Sequence, residues 1–201
     1  MDKIGTRLLL FKYNINFKTK IMSHPEQQNF MKYVRDRFPE RFINCRVLDI
    51  GSLDINGNNR YLFHNPSYIG VDIGEGPNVD VVCRGHEFKD SVPFDIVISS
   101  ECFEHDEFWD KSIQNGIDSL KPGGLLLFSC ATTGRPEHGT KRTTPQDSPF
   151  TSQIENDYYH NLTEEEIVGK IDMDQFSTHE FISREIWPQD LYFWGIKKPL
   201  E

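Results

Sequence analysis

Residues 46–72 read RVLDIGSLDINGNNRYLFHNPSYIGVD. Two short apolar runs, VLDI and YIGVDI (which ends at Ile73), flank a polar, glycine-punctuated segment. A near-continuous apolar run bounded by turn residues predicts a strand of a parallel sheet, covered on both faces. In an open α/β sheet the ligand sits in the crevice beyond the carboxyl ends of such strands. Gly51 and Gly57 would let backbone N–H groups approach that ligand closely. Asp72 ends the second run about twenty residues after the first turn, where a carboxylate accepts hydrogen bonds from ribose hydroxyls. The glycines alone would need no ligand to explain them, since they permit turns; the two features in this order point to a nucleoside-bearing ligand. The spacing is not G-x-G-x-x-G and the turn is polar, which argues against a dinucleotide.

Working outward, VDVV (79–82), FDIVISS (94–100) and GLLLFSC (124–130) read as further strands. Between the last two, Phe108, Ile113, Ile117 and Leu120 mark one face of a helix that stops at KPGG. Upstream, SHPEQQNFMKYVRDRF (23–38) predicts a helix, with Ser23 and Glu26 as a capping box and Phe30, Val34 and Phe38 at four-residue spacing. Residues 1–22 are mixed and basic and read as an N-terminal extension, leaving 23–201 as one domain. Downstream, TEEEIVGKI (163–171) predicts a helix, and THEFIS (178–183) and LYFWGI (191–196) an antiparallel pair closing one sheet edge. The alternation of strands and helices makes this an α/β protein.

Composition bounds the function. A chain of 201 residues holds one full core. The net charge of −9 argues against a nucleic-acid partner. No apolar run reaches the roughly 20 residues of a membrane span, and RLLLF is too short for a secretory signal, so a cytoplasmic protein is expected. Cys45, Cys83, Cys102 and Cys130 stand far apart without C-x-x-C, and read as buried thiols.

The motifs over about residues 45–131 resemble, in order and spacing, those of the class I S-adenosylmethionine-dependent methyltransferases: VLDIGS, YIGVDI, FDIVISSECFEH and LKPGGLLLFS. A narrower resemblance, to bacterial methyltransferase-domain proteins with a GSxDxNGxxR first motif, extends through His138-Gly139, DYYHNLT and DLYFWGIKK. The resemblance implies a Rossmann-like methyltransferase fold: a mainly parallel seven-stranded sheet with an antiparallel C-terminal strand and helices on both faces. It also implies S-adenosyl-L-methionine as cofactor. On that resemblance Asp49 and Gly51 would meet the methionine part, with Ser52 and Leu53 continuing the wall. Asp72 would hold the ribose and Ile73 the adenine face, a backbone N–H near Gly85 and His86 would meet an adenine nitrogen, and Ser100 and Glu101 would border the amino-acid end and the methyl group. Two positions depart from the family pattern. Leu53 replaces its usual second glycine, and Arg84-Gly85 stands where relatives have an acid followed by a small residue.

Methyl transfer needs alignment more than covalent chemistry, plus a base if the acceptor is a hydroxyl. His105, in ECFEHDE (101–107), is the first candidate base and His138 the second. His105 could equally order its loop, and Asp106 and Glu107 read as acids at the positive end of the next helix. The acids of this segment are bunched on one short stretch, so no metal is expected. His24, His64, His160 and His179 read as surface or packing histidines, and Trp109, Trp187 and Trp194 as core or edge residues. Residues 132–162 are long enough for a substrate-binding lid, with Arg142 and Tyr158 as the residues to grip a small polar acceptor such as a sugar or glycan. Two other readings stand beside methyl transfer: a catalytically silent, cofactor-binding partner protein, and a nucleotide-dependent oxidoreductase, which the missing G-x-G-x-x-G disfavours.

Overall fold

Alternate residues of the central strands face opposite sides, and each side has its own apolar set. Val47, Ile96, Ile98, Leu125, Leu127 and Trp194 fall on one face, and Leu48, Ile50, Val97, Leu126, Phe128 and Phe193 on the other. This period of two, buried on both sides, is what a covered sheet requires. A computed structural model of the chain describes residues 25–153, 157–184 and 186–199. The extension 1–22 and the Ser23 cap lie outside those residues.

The elements in chain order are α1 (Pro25–Arg37), β1 (Arg46–Ile50), β2 (Ser67–Asp72), β3 (Val81–Val82), β4 (Phe94–Ser100), α2 (Trp109–Ser119), β5 (Leu120–Ala131), α3 (Glu164–Val168), β6 (Phe176–Ser183) and β7 (Asp190–Lys197). The seven strands form one sheet in the order β3-β2-β1-β4-β5-β7-β6. β1 pairs in parallel with β2 and β4, β2 with β3, and β4 with β5, whereas β7 runs antiparallel to both β5 and β6. The order reverses at β1, the first strand of the quoted segment, with β2 on one side and β4 on the other; crevices open at such switch points.

Helix α1 covers one face through Phe30, Met31 and Val34. Phe38, just past its end, sets its ring edge-on to Trp194 at 5.1 Å. On the other face α2 contributes Ile113 and Ile117, and α3 contributes Ile167. Helix α3 is short but closed at its start by a full capping box, Thr163 with Glu166. The helix ahead of KPGG ends at Ser119, as expected, but KPGG belongs to the irregular start of β5. The pairing jumps from Phe94↔Leu120 to Ile96↔Leu125, so the four residues bulge out of the ladder. Among the described residues no helix is long and apolar enough to cross a membrane.

Candidate functional site

A cavity of about 550 Å³ opens at the carboxyl ends of β1, β2 and β4. Its floor comes from the quoted segment: Asp49, Gly51, Ser52, Leu53, Asp72 and Ile73 all line it. Gly51 has φ +76°, and a Cβ there would overlap the Cys102 side chain, so backbone and thiol pack where no other residue fits. The polar residues of the turn hold one another. Asp54 accepts from the Gly57 N–H at 2.7 Å and from Asn58 Nδ2 at 2.6 Å. Asn59 donates to Ser100 Oγ at 3.0 Å, tying the turn to β4, and Asn78 donates to the Ser52 carbonyl at 2.8 Å.

Two carboxylates face this end. Asp49 is only 2% exposed. It accepts from the Tyr68 hydroxyl at 2.6 Å, yet burial pushes its carboxyl up to about 7. An acid so desolvated favours a cationic partner. Asp72 accepts from the Leu53 N–H at 3.0 Å and from the Ile73 N–H at 2.8 Å, one on each oxygen. Its carboxyl too is raised by burial, against the pull of those N–H groups. Each oxygen keeps a lone pair for another donor. The hydroxyl of Ser52 is buried and has no hydrogen-bond partner among the described residues.

Gly85 and Arg84 lie on the cavity wall. A side chain at Gly85 would press on Ile50 and Ser112. The Arg84 guanidinium is drawn toward Glu107 at 3.7 Å and over the Phe108 ring at 5.3 Å. His86 is not among the lining residues; its ring packs on Phe108 at 4.7 Å. Asp106 accepts from the Phe108 N–H at 2.9 Å and the Ser112 hydroxyl at 2.5 Å, which sets the start of α2.

The far end of the cavity is built by the turn after β4 and the loop after β5. Glu101 has φ +51° and accepts from Ser129 Oγ at 2.8 Å. Gln27 of α1 reaches the same Ser129 at 3.2 Å. Burial, with Glu104 and Asp190 nearby, raises the Glu101 carboxyl well above its usual range, and burial raises Glu104 likewise. His105 and His138 both line the cavity, with ring centroids 5.2 Å apart. Burial, aided by the neighbouring His138, pushes His105 down to about 3, and burial lowers His138, so both rings are neutral.

The structure therefore brings eleven predicted residues to one cavity: Asp49, Gly51, Ser52, Leu53, Asp72, Ile73, Gly85, Ser100, which lies beside Asn59, Glu101, His105 and, from the loop after β5, His138. Arg142 and Tyr158 are not among the lining residues. Arg142 is 62% exposed and pairs with Glu137 at 2.8 Å, and Tyr158 packs near His160 at 6.5 Å. The buried cation at the cavity is instead Arg135. It is held by Asp190 at 2.8 Å, lies 3.9 Å from Glu101, and is covered by the exposed Trp187 ring at 4.9 Å. Trp187 was expected in the core or at an edge; it stands at the cavity rim. Residues 147–151 complete the wall, where Phe150 packs so closely on Gly74 that no side chain fits there. Neither Arg135 nor Phe150 carries a motif signal, because only the loop's path brings them inward.

No family model and no curated protein sequence matches the chain. Solved structures do. The 1,6-didemethyltoxoflavin-N1-methyltransferase of Burkholderia thailandensis, with bound 1,6-didemethyltoxoflavin and S-adenosylhomocysteine, superposes with a TM-score of 0.61 at 16% identity, over 88% of this chain and 80% of that one. The N-methyltransferase NodS of Bradyrhizobium japonicum, with S-adenosylhomocysteine, gives 0.59 at 13% identity over 90% and 91%. Phosphoethanolamine N-methyltransferase 2 of Haemonchus contortus, with S-adenosyl-L-methionine, gives 0.61 at 18% identity over 90% of this chain; the match spans only 55% of that longer protein. These likenesses show a shared Rossmann-like methyltransferase fold.

Proposed function

We propose that the chain is an S-adenosyl-L-methionine-dependent methyltransferase acting on a small polar acceptor. One observation carries the reading: the carboxylates at the ends of β1 and β2, Asp49 and Asp72, share a single cavity with the polar group of Glu101, His105, Arg135 and His138. The residues fit the cofactor. Asp49 is a desolvated acid suited to an ammonium, Asp72 has lone pairs left for two ribose hydroxyls, and Gly51 forms a cradle that a Cβ would fill. Ile73 offers an apolar face to the adenine. His86 contributes through its backbone alone, since its ring is turned to Phe108.

S-adenosylmethionine, when bound, supplies a methyl group activated on a sulfonium. The protein's part is to align the acceptor with that methyl and to exclude water. Ser100 and Glu101 would border the methyl position, with the loop after β5 lining the same cavity. An acceptor hydroxyl or amine must lose a proton as its bond to carbon forms. The neutral His138 and His105 rings present nitrogen lone pairs at that end to receive it. Arg135, fixed by Asp190, would orient a polar acceptor.

The acceptor is small. Two proteins of this fold, described above, act on 1,6-didemethyltoxoflavin and on phosphoethanolamine. A sugar hydroxyl remains our first candidate, carried now by Glu101 and Arg135 and not by Arg142 or Tyr158. The four free thiols support a cytoplasmic setting. The test is transfer of a radiolabelled methyl group from S-adenosylmethionine to a panel of sugars, sugar phosphates and amines. Acceptor-dependent release of S-adenosylhomocysteine is expected. Cofactor binding without turnover on any acceptor would favour the silent-partner reading.

A further inference from the structure

Glu104, His105 and His138 form a cluster whose buried carboxylate has no part in the methyl-transfer reading. Each offers one ligand atom, and these atoms lie within 4.8 Å of one another. Glu104 is fully buried, at 0% exposure. Its Oε1 accepts from the Ala131 N–H at 3.1 Å and stands 4.0 Å from His138 Nε2. Its Oε2 is shut off from solvent and has no hydrogen-bond partner among the described residues, and the same is true of His105 Nδ1. Buried polar atoms left without partners are costly, and two in one cluster are satisfied together by a shared partner.

The orientation of His138 fits such a partner. Its Nδ1 lies 3.2 Å from both the Pro136 carbonyl and the Tyr159 hydroxyl, and in the tautomer that donates to the carbonyl the Nε2 lone pair faces Glu104. A metal-bound imidazole is usually anchored through its other nitrogen in this way. The Tyr159 hydroxyl, which donates to Asn161 at 2.8 Å, packs its ring against both imidazoles. Beside the cluster, Glu101 and Asp190 share Arg135. The expectation that no metal binds rested on ligands bunched in residues 101–107. His138, arriving from a separate loop, gives the set a second side.

We propose that Glu104, His105 and His138 bind a divalent transition-metal ion, with its open positions facing the cavity. Two imidazoles and one carboxylate form a borderline donor set, suited to Zn²⁺, Co²⁺ or Mn²⁺ more than to Ca²⁺ or Mg²⁺. Metal–ligand bonds of about 2.0–2.2 Å hold neighbouring ligand atoms roughly 3–3.6 Å apart, so the three atoms, now within 4.8 Å of one another, would close by up to about 1–1.5 Å through side-chain rotation. The consequence for the acceptor rests on the methyl-transfer reading, whereas ion binding does not. A hydroxyl acceptor would occupy an open position, lose its proton to water as its pKa falls on the ion, and attack the methyl through the same oxygen while the sulfur leaves as a neutral thioether.

The test uses the untagged full chain, stripped with a chelator and dialysed against ZnCl₂, CoCl₂ or MnCl₂, with bound metal counted by plasma mass spectrometry. One ion per chain is expected, with affinity falling at least tenfold in Glu104→Gln and in His138→Ala. The Co²⁺ form should show visible absorption bands of a low-coordinate site that both substitutions abolish. Glu104→Gln keeps the oxygen that accepts from Ala131, and His138 is half-buried in a loop, so circular dichroism should report both variants folded. Wild type retaining no ion, or variants retaining it equally, overturns the proposal. S-adenosylhomocysteine titrated into the same samples separates the two claims: its binding without metal refutes only this inference, and metal binding without it refutes only the methyl-transfer reading.

Discussion

Replacing Asp49 by asparagine, at nearly constant shape, is expected to stabilise the ligand-free protein and weaken its hold on the cofactor. Burial raises the Asp49 carboxyl from 3.8 to about 7, and the Asp72 charge adds to the shift. The Tyr68 and Asn78 hydrogen bonds and the Arg60 charge oppose it. A group whose folded pKa lies above its unfolded value contributes stability that is full below pH 3.8 and is lost as the pH rises toward 7. Three pKa units correspond to about 4 kcal/mol, so the ionised carboxylate costs on the order of that amount at pH 8. Asparagine carries no such cost, while its carbonyl still accepts from Tyr68. Asp49→Asn should therefore raise the melting temperature by several degrees at pH 8 and leave it nearly unchanged at pH 4. Cofactor binding has the opposite dependence, because the ammonium selects the ionised acid. With a pKa of about 7, the ionised fraction falls from about 0.76 at pH 7.5 to about 0.09 at pH 6, an affinity loss of about eightfold. Calorimetry with S-adenosylhomocysteine at the two pH values should show that loss, with proton release on binding, in wild type. The Asp49→Asn variant should show a weaker affinity and a smaller pH dependence, the remainder belonging to Asp72. A wild-type affinity independent of pH, or a variant less stable than wild type at pH 8, would refute the reasoning.

Other substitutions test other parts of the site. Gly51→Ala places a side chain at φ +76° against Cys102; left-handed strain of about 1–2 kcal/mol, together with the overlap, should lower stability and abolish cofactor binding. Adding Cys102→Gly, which removes both overlapping atoms, should restore part of the stability, and a fully tolerated Gly51→Ala would contradict the geometry. Arg135→Ala strands the buried Asp190 and should cost about 3–5 kcal/mol in urea unfolding. Arg142→Ala, removing an exposed ion pair, should cost no more than about 1 kcal/mol. Equal losses for the two arginines would mean that the loop is placed wrongly.

The sheet was legible because burial on both faces writes itself as short apolar runs. VLDI, YIGVDI, FDIVISS and GLLLFSC all lie in strands, with ends shifted by a few residues. The end of the cavity proposed for the cofactor was legible as a cluster for a related reason: strand ends fix where Asp49 and Asp72 lie, so their sequence positions carry their geometry. The acceptor end follows no such periodicity. Arg142 and Tyr158 stood out by residue type, but the loop carries Arg142 to the surface and turns Arg135 inward to Asp190. Glu104 looked like one of several acids after β4 until the fold buried it beneath the Ala131 N–H. KPGG announced a helix end correctly and gave no sign of the bulge that begins β5. Distances between separate loops depend on the whole path of the chain, and no local pattern reports them.

The central claim, that the cavity at the ends of β1 and β2 binds S-adenosylmethionine, is tested most directly by calorimetric titration of the purified chain. S-adenosylmethionine and NAD should be titrated in parallel, into wild type and into Asp72→Ala. The account predicts saturable binding of S-adenosylmethionine alone. The substitution should weaken it more than tenfold, since hydrogen bonds to a charged acceptor are worth about 1.5–3 kcal/mol each. Binding of NAD in its place, or S-adenosylmethionine binding that ignores Asp72, would contradict the account.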